Sequence, residues 1–201
     1  MRPIDIRQYK QEIRAKARAR RTNIPPKERA EMDARIAQNV RRLYQYKAAN
    51  TVLVYVSTAI EIDTKLIIEN AWSDGKKVAV PRCIPGSRNM EFHYIESFDD
   101  LSPGTFSVLE PDENSMIVSD FTGCLMILPA ITVDYDGYRL GYGKGYYDRY
   151  MSRFSGPSVV LCYSCELVGK LYRGRFDAPA SAIITEKKIK SCKRGANGGR
   201  F

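Results

Sequence analysis

The hydrophobic positions in the first part of the chain recur at helical spacing. From residue 4 to about residue 21 an apolar stripe runs beside a basic one, and Pro25 and Pro26 begin a second predicted helix that continues to about Tyr46. The apolar stripe contains Ile6, Tyr9, Ile13 and Ala17, and the basic stripe contains Arg7, Lys10, Arg14, Arg18 and Arg21. The second helix is expected to turn Ile36, Ala37, Val40, Leu43 and Tyr44 inward. Most of the basic stripe, Arg21 included, is interpreted as a solvated face, and only Lys10 and Arg14 are excepted.

After residue 50 the pattern changes to short apolar runs. They predict strands over residues 51–56, 77–80, 90–94, 123–128, 158–163 and 180–185. Helical segments separate several of these strands, for example residues 64–72, which follow a predicted N-terminal cap at Asp63. The alternation predicts an α/β fold, a three-layer α/β/α sandwich with a mostly parallel sheet. We expect a single domain over residues 1–194 and a flexible tail over residues 195–201.

The segment LPAITVDYDGYRLGYGKGYYDRY, residues 128–150, contains an unusual glycine loop. Gly141, Gly143 and Gly145 remove side chains from a short stretch, so backbone N–H groups can approach an anion there. A helix predicted to begin near Lys144 would add the positive end of its dipole. The spacing matches neither the dinucleotide fingerprint nor the Walker loop, and a plain glycine-rich turn would explain it equally well.

Charged residues around the glycines favour a phosphate site. Arg139, Lys144 and Asp148 lie within ten residues of one another. In the predicted helix Lys144 and Asp148 share one face. The apolar stripe of that helix contains Tyr147, Tyr150, Met151 and Phe154. A cation and a carboxylate would then face the same phosphate.

At these residues the sequence resembles a known family. The run GYRLGYGKGYYD, residues 137–148, resembles the signature of the 5-formyltetrahydrofolate cyclo-ligase family. Three further segments agree with it: the pair Lys10 and Arg14 one helical turn apart, the acidic turn Glu61-Ile62-Asp63-Thr64, and Val80-Pro81-Arg82 at the end of a strand. The resemblance covers about residues 5–186.

The resemblance implies an enzyme that uses ATP and Mg²⁺ to cyclise 5-formyltetrahydrofolate to 5,10-methenyltetrahydrofolate. It implies catalytic roles for Lys144 and Arg139, and metal binding by Asp148 and, more weakly, Asp177. The implied ATP-binding residues are Lys10, Arg14, Arg139, Leu140, Gly141, Gly143, Lys144, Gly145, Tyr146 and Tyr147. The implied folate-binding residues are Val56, Glu61 and Tyr146. The two tyrosines are equally well explained as core residues, and Glu61 has a second explanation as a capping or solvated acid.

Ligands of parallel α/β sheets bind at the carboxyl ends of the strands. Glu61 follows the first predicted strand, Arg82 follows the second and the glycine loop follows the fourth. We therefore expect these three features to converge at one edge of the sheet.

The sequence departs from the family pattern at two positions. Val133 precedes Asp134 where the family usually has an aromatic residue, and Ser181 occupies a position near the last strand where the family often has a second aspartate. These departures leave open a diverged paralogue that binds nucleotide with a different folate substrate or none.

The net charge of +9 is unevenly distributed. Residues 1–47 carry 14 Lys and Arg against 5 Asp and Glu, residues 187–201 carry 6 against none, and residues 48–186 carry 12 against 18. Basic ends around an acidic centre suit an anionic small ligand as well as RNA. Because the chain has no aromatic and basic nucleic-acid motif, ATP and a reduced folate are the expected partners, and RNA binding is the less favoured alternative.

Composition limits the remaining classes. No apolar run approaches the length of about 20 residues that a membrane span requires, and the N-terminal segment lacks the apolar core of a signal peptide, so we predict a cytoplasmic protein. The five cysteines are interpreted as reduced structural thiols. His93, the single histidine, is interpreted as a strand or loop residue and not as a catalytic base.

Overall fold

The structure, a computed structural model, describes residues 5–105, 108–174 and 177–192. The predicted tail, residues 195–201, lies outside this range. The helices are α1 (Ile6–Thr22), α2 (Pro26–Arg42), α3 (Tyr44–Ala48), α4 (Lys65–Ser73) and α5 (Tyr146–Met151). The strands are β1 (Thr51–Leu53), β2 (Lys77–Cys83), β3 (Met90–Ile95), β4 (Leu101–Pro103), β5 (Leu109–Pro111), β6 (Cys124–Leu128), β7 (Thr132–Asp134), β8 (Arg139–Leu140), β9 (Ser158–Leu161), β10 (Leu167–Val168), β11 (Ala182–Ile184) and β12 (Ile189–Ser191).

A seven-stranded sheet forms the centre of the fold, in the order β12-β11-β9-β6-β1-β2-β3. Its five inner strands are parallel, and the two edge strands β12 and β3 are antiparallel to their neighbours. The predicted α/β fold with a mostly parallel sheet is therefore confirmed. Several features were not predicted: β3 pairs with β2 as a hairpin, β12 pairs with β11, β4 and β5 form a two-stranded sheet, and a small sheet of β10, β7 and β8 carries the approach to the glycine loop.

Side chains alternate between the two faces of the sheet and form two cores. Along β6, Leu125 and Ile127 join one core, whereas Met126 and Leu128 join the other. Helices α2 and α4 cover the first face, and α5 covers the second together with aromatic residues that follow β5 and α5. Burial on both faces explains why the parallel strands appear in the sequence as nearly continuous apolar runs.

The second helix is shorter than predicted. It ends at Arg42, and the extended backbone of Leu43, with ψ of 136°, separates it from α3. The expected inward position of Tyr44 is wrong, because this side chain is 80% exposed and Tyr46, at 2%, enters the core instead. The break at Leu43 changes the direction of the chain, so that Tyr46 and not Tyr44 faces the core.

Helix α1 turns part of its basic stripe towards the protein. Arg21 is 2% exposed, and its guanidinium donates to the carbonyl oxygens of Ala130 (2.7 Å), Ile131 (2.9 Å) and Ile60 (3.3 Å). Ile6, assigned to the apolar stripe, is 45% exposed. The interpretation of Arg21 as a solvated charge is therefore wrong. The side chain is buried because these loop carbonyl groups are themselves buried and require hydrogen-bond donors.

In the described part of the chain, the helices are all too short or too polar to cross a membrane.

We expect Arg21→Met to lower the free energy of unfolding by about 3 kcal/mol, because it leaves buried carbonyl groups without their charged donor. Lys16→Met is the matched control on the same helix, since Lys16 is exposed and should change stability by no more than about 0.5 kcal/mol. Chemical denaturation of both variants measures the difference. Equal stabilities would show that the carbonyl contacts of Arg21 contribute nothing to the fold.

Candidate active site

Asp134 fixes the hairpin that leads into the glycine loop. This residue is fully buried, and its carboxylate accepts the backbone N–H groups of Asp136 (3.0 Å), Tyr138 (3.0 Å) and Leu171 (3.2 Å). Arg173 lies 3.6 Å from the same carboxylate. The acid that precedes the loop therefore organises backbone, a role that the sequence analysis did not assign.

The backbone conformation requires glycine at two of the three glycine positions in the loop but not at the third. Gly143 and Gly145 have φ of 96° and 75°, a conformation that favours glycine, but Gly141 has no such constraint. A Cβ atom at Gly141 would meet no described atom within 4 Å. The backbone N–H groups of these three glycines donate to no partner among the described residues. The loop thus offers unused donors beside open space, as an anion site requires.

Helix α1 reaches the glycine loop through the predicted pair. Arg14 Nε donates to the carbonyl oxygen of Gly141 at 2.8 Å, and Lys10 Nζ lies 3.2 Å from Asp177 Oδ2. Burial, and then Arg18, lowers the pKa of Arg14. Lys144 is exposed in the same loop. The structure therefore brings Arg14 to the loop that carries Lys144, and it places Lys10 beside Asp177.

The fourth cation, Arg139, lies behind the loop. Its side chain is only 4% exposed, and it bonds Asp148 Oδ1 at 2.5 Å and the carbonyl oxygen of Ala178 at 3.2 Å. Burial lowers the pKa of Arg139, and Asp148 opposes that change. Leu140 is also buried, at 3% exposure, so only its backbone is near the loop surface.

The two candidate metal ligands are both engaged with cations. Asp148 pairs with Arg139, and Asp177 pairs with Lys10 and accepts the backbone N–H of Gly174 at 2.8 Å. Within the described ranges, no group of three or more His, Cys, Asp or Glu side chains could hold a metal ion. One or two carboxylates fit a Mg²⁺ that takes its other ligands from phosphate and water.

Glu61 lies in a tight turn beside the glycine loop. It is 9% exposed, and its carboxylate accepts the N–H (2.8 Å) and the hydroxyl (2.9 Å) of Thr58. The pKa values of Tyr55, Tyr142 and Tyr147 are raised first by burial and then by Glu61. The Tyr142 hydroxyl is buried next to the Glu61 carboxylate. A carboxylate and a buried hydroxyl therefore lie together next to the loop.

The start of α5 connects the loop to the end of β2. The Tyr146 hydroxyl donates to the carbonyl oxygen of Ser87 at 3.4 Å, and the ring of Tyr147 packs edge-on against Phe92 at 6.4 Å. Cys83, at the end of β2, lies beside Tyr146, and burial followed by Glu110 raises the pKa of its thiol to about 11.

The predicted convergence at the sheet edge is confirmed for Glu61 and the glycine loop, whereas Arg82 contacts residues at the end of β5. The guanidinium of Arg82 donates to the carbonyl oxygen of Pro111 at 2.6 Å and lies 3.5 Å from Glu113. Strand β2 therefore reaches the site through Cys83. Val56 lines an open groove of about 880 Å³ together with Phe98.

Comparison with known proteins identifies the family. A sequence model of the 5-formyltetrahydrofolate cyclo-ligase family matches residues 6–186. The chain belongs to this family. A 5-formyltetrahydrofolate cyclo-ligase of Escherichia coli is 30% identical over 177 residues, which cover 86% of this chain and 97% of that protein. The mouse cyclo-ligase is 28% identical, over 85% of this chain and 87% of the mouse protein.

Solved structures support the same relationship. The 5,10-methenyltetrahydrofolate synthetase of Aquifex aeolicus superposes with a TM-score of 0.81 and 26% identity, over 96% of this chain and 97% of that one. The synthetase of Mycoplasma pneumoniae shares the fold, with a TM-score of 0.70 and 21% identity. The predicted family, its enzyme class and the fold are thus confirmed, whereas the individual site residues remain predictions.

Sequence reasoning missed two cyclo-ligase residues that the structure places at the site. Tyr142 has a signal in the sequence, since it lies between two glycines of the loop, but nothing there indicates that its hydroxyl is buried beside Glu61. Arg21 has no signal, because it looks like any other member of a basic helical stripe. The departure at Ser181 is structural here, since its hydroxyl accepts the N–H of Ser158 at 3.4 Å.

We expect Gly141→Ala to weaken ATP binding about tenfold while the thermal midpoint stays unchanged, because the new methyl group enters open space beside the loop donors. Gly169→Ala is the matched control, since a Cβ there also meets no described atom within 4 Å. Titration calorimetry with ATP and thermal unfolding of both variants provide the measurement. The same ATP affinity in both variants would contradict an anion site at this loop.

Proposed function

We propose that this chain catalyses the ATP-dependent cyclisation of 5-formyltetrahydrofolate to 5,10-methenyltetrahydrofolate, with release of ADP and phosphate. Membership of the cyclo-ligase family supports the reaction. The observation that carries the assignment of the site is the juxtaposition of two parts: a glycine loop with unused N–H donors, faced by Arg14 and Lys144, and the buried Glu61 beside it.

The chemistry explains the need for ATP. The oxygen of a formyl amide is a poor leaving group, so the γ-phosphoryl group of ATP is first transferred to it, and ADP departs. The N10 nitrogen of the folate then attacks the activated carbon, the carbon–oxygen bond breaks and phosphate leaves. The protein's task is to position the reactants and to neutralise charge, and no covalent nucleophile is required.

The residues of the loop would divide this work. Lys144 and Arg14 would neutralise phosphate charge, and Gly141, Gly143 and Gly145 would donate backbone N–H groups. Lys10 would assist from α1, next to Asp177. Arg139 would hold Asp148 in place from behind. Helix α5 has only six residues, so its dipole contributes less than the sequence analysis expected.

Mg²⁺ belongs to this proposal as a companion of ATP. When bound, the ion shares the negative charge of the transferred phosphoryl group. Asp148 would be its main protein ligand and Asp177 the weaker one. Both carboxylates are partly exposed, at 35% and 23%, and can therefore reach an ion carried by the nucleotide.

The folate would lie on the Glu61 side of the loop. The carboxylate of Glu61 would accept the amide-like donors of the pterin, with Tyr146 and Val56 as neighbours. The buried hydroxyl of Tyr142 next to Glu61 supports this placement, because it adds a second polar group with which the pterin could pair. We also propose that the enzyme acts in the cytoplasm.

The RNA-binding alternative receives little support from α1. Lys10, Arg14, Arg20 and Arg21 contact carboxylates or carbonyl groups of the protein. A nucleic-acid footprint needs cations that face solvent on one surface. The diverged-paralogue alternative rests on Ser181, which bonds backbone at the position of the family's second acid.

We expect the purified protein to form the methenyl product, detected by its near-ultraviolet absorbance, only when ATP, Mg²⁺ and 5-formyltetrahydrofolate are all present. Lys144→Met should lower kcat/KM about 100- to 1,000-fold, because it removes a charge that stabilises the transition state. Lys187→Met, an exposed residue near the last strand, is the control and should retain full activity. Turnover without ATP, or in excess chelator, would disprove the reaction.

We expect Asp148→Asn to raise the Mg²⁺ concentration needed for half-maximal turnover far more than Asp177→Asn does. The same substitution should reduce stability by about 2 kcal/mol, less than for a fully buried pair, because it removes the partner of the buried Arg139. Activity is therefore titrated with Mg²⁺ well below both thermal midpoints. Equal Mg²⁺ requirements of the two variants would mean that both acids serve the metal.

A further inference from the structure

Arg29, a residue of α2, binds the turn that carries Glu61. Its two terminal nitrogens donate to the carbonyl oxygens of Ala59, at 2.6 Å, and of Glu61 itself. The carbonyl oxygen of the intervening Ile60 accepts from Arg21. Three consecutive carbonyl groups of the turn are therefore held by two guanidinium groups, and Arg29 spans the outer two with its planar fork.

A buried network fixes Arg29 in turn. Its Nε donates to the hydroxyl of Tyr163 at 3.4 Å, and that hydroxyl donates to Asp33 Oδ1 at 2.6 Å. Arg29 Nε also lies 4.0 Å from the other oxygen of Asp33. Tyr163 is completely buried and Asp33 is 8% exposed. The guanidinium therefore has little freedom, because its aromatic and acidic partners belong to the packed core.

Three further hydrogen bonds within residues 58–61 are internal to the turn. The Glu61 N–H donates to the Thr58 carbonyl at 3.1 Å, and Thr58 donates to the Glu61 carboxylate. Internal bonds set the shape of the turn but not its orientation relative to the glycine loop. That orientation depends on contacts with other elements, and the carbonyl contacts of Arg29 and Arg21 supply them.

We propose that Arg29 is a positioning residue for folate recognition: by holding the carbonyl groups of Ala59 and Glu61, it sets where the Glu61 carboxylate lies. This inference rests on the proposed function of Glu61 as a folate ligand. Arg29 acts through the turn, so its loss should affect the folate side of the site and leave the nucleotide side intact. If Arg29 only stabilised the fold, its loss would weaken the binding of folate and of ATP together.

Arg29→Lys tests this division, because lysine keeps the positive charge near Asp33 but cannot span two carbonyl groups. We expect affinity for 5-formyltetrahydrofolate to fall about tenfold, a loss of about 1.4 kcal/mol, while ATP affinity stays within about twofold. Arg29→Met should weaken folate binding further, and Arg29→Lys decides the matter if that variant unfolds. Arg35→Lys, an exposed position on the same helix, is the control and should change neither affinity.

A double-mutant cycle with Glu61→Gln then identifies the route of the effect. If Arg29 acts through Glu61, adding Arg29→Lys to Glu61→Gln should weaken folate binding by less than about twofold more. Calorimetric titrations with 5-formyltetrahydrofolate and with ATP give the values. Unchanged folate affinity, equal losses for both ligands, or a full additive loss in the double variant would overturn the inference. Turnover of the wild-type protein, measured alongside, tests the proposed function separately.

Discussion

The arrangement of the candidate site depends on cations of α1 that bind backbone and carboxylate groups. The buried guanidinium of Arg21 joins Ile60, in the Glu61 turn, to Ala130 and Ile131, in the connection that follows β6. That connection continues into the hairpin and the glycine loop. One side chain therefore ties together the first helix, the Glu61 turn and the segment that leads to the glycine loop. Its carbonyl partners replace the water that a buried charge loses.

This docking mode gives the uneven charge of the chain a structural role. Residues 1–47 carry a net charge of +9, and residues 48–186 carry −6. Arg20 pairs at 2.6 Å with the fully buried Glu166, and Lys10 pairs with Asp177. A helix with few buried apolar side chains is thus attached by complementary charge. At these positions the basic residues of the N-terminal segment serve to attach the helix to the rest of the protein.

Local patterns in the sequence predicted those elements whose structure depends on neighbouring residues. Apolar runs gave the buried strands, because a strand covered on both faces is apolar throughout. The glycine spacing indicated an open loop at Gly141, and phosphate binding by this loop remains a prediction. The orientation of α1 could not be predicted in this way, because its apolar stripe and its basic stripe lie side by side. Hydrogen-bond acceptors in distant loops decide which of the two stripes is buried. The break at Leu43 and the β2–β3 hairpin likewise depend on packing between segments far apart in the chain.

The two halves of the site satisfy their polar groups differently. In the turn, the carbonyl groups of Ala59, Ile60 and Glu61 all accept hydrogen bonds from arginines, so the carboxylate is held before any ligand arrives. In the loop, glycine N–H groups have no partner in the described chain. A reaction catalysed by positioning and charge neutralisation benefits from this division, because a preorganised recognition element avoids an ordering cost upon binding. In the proposed reaction the unused donors would face the group whose charge increases, which is where fixed dipoles lower the barrier most.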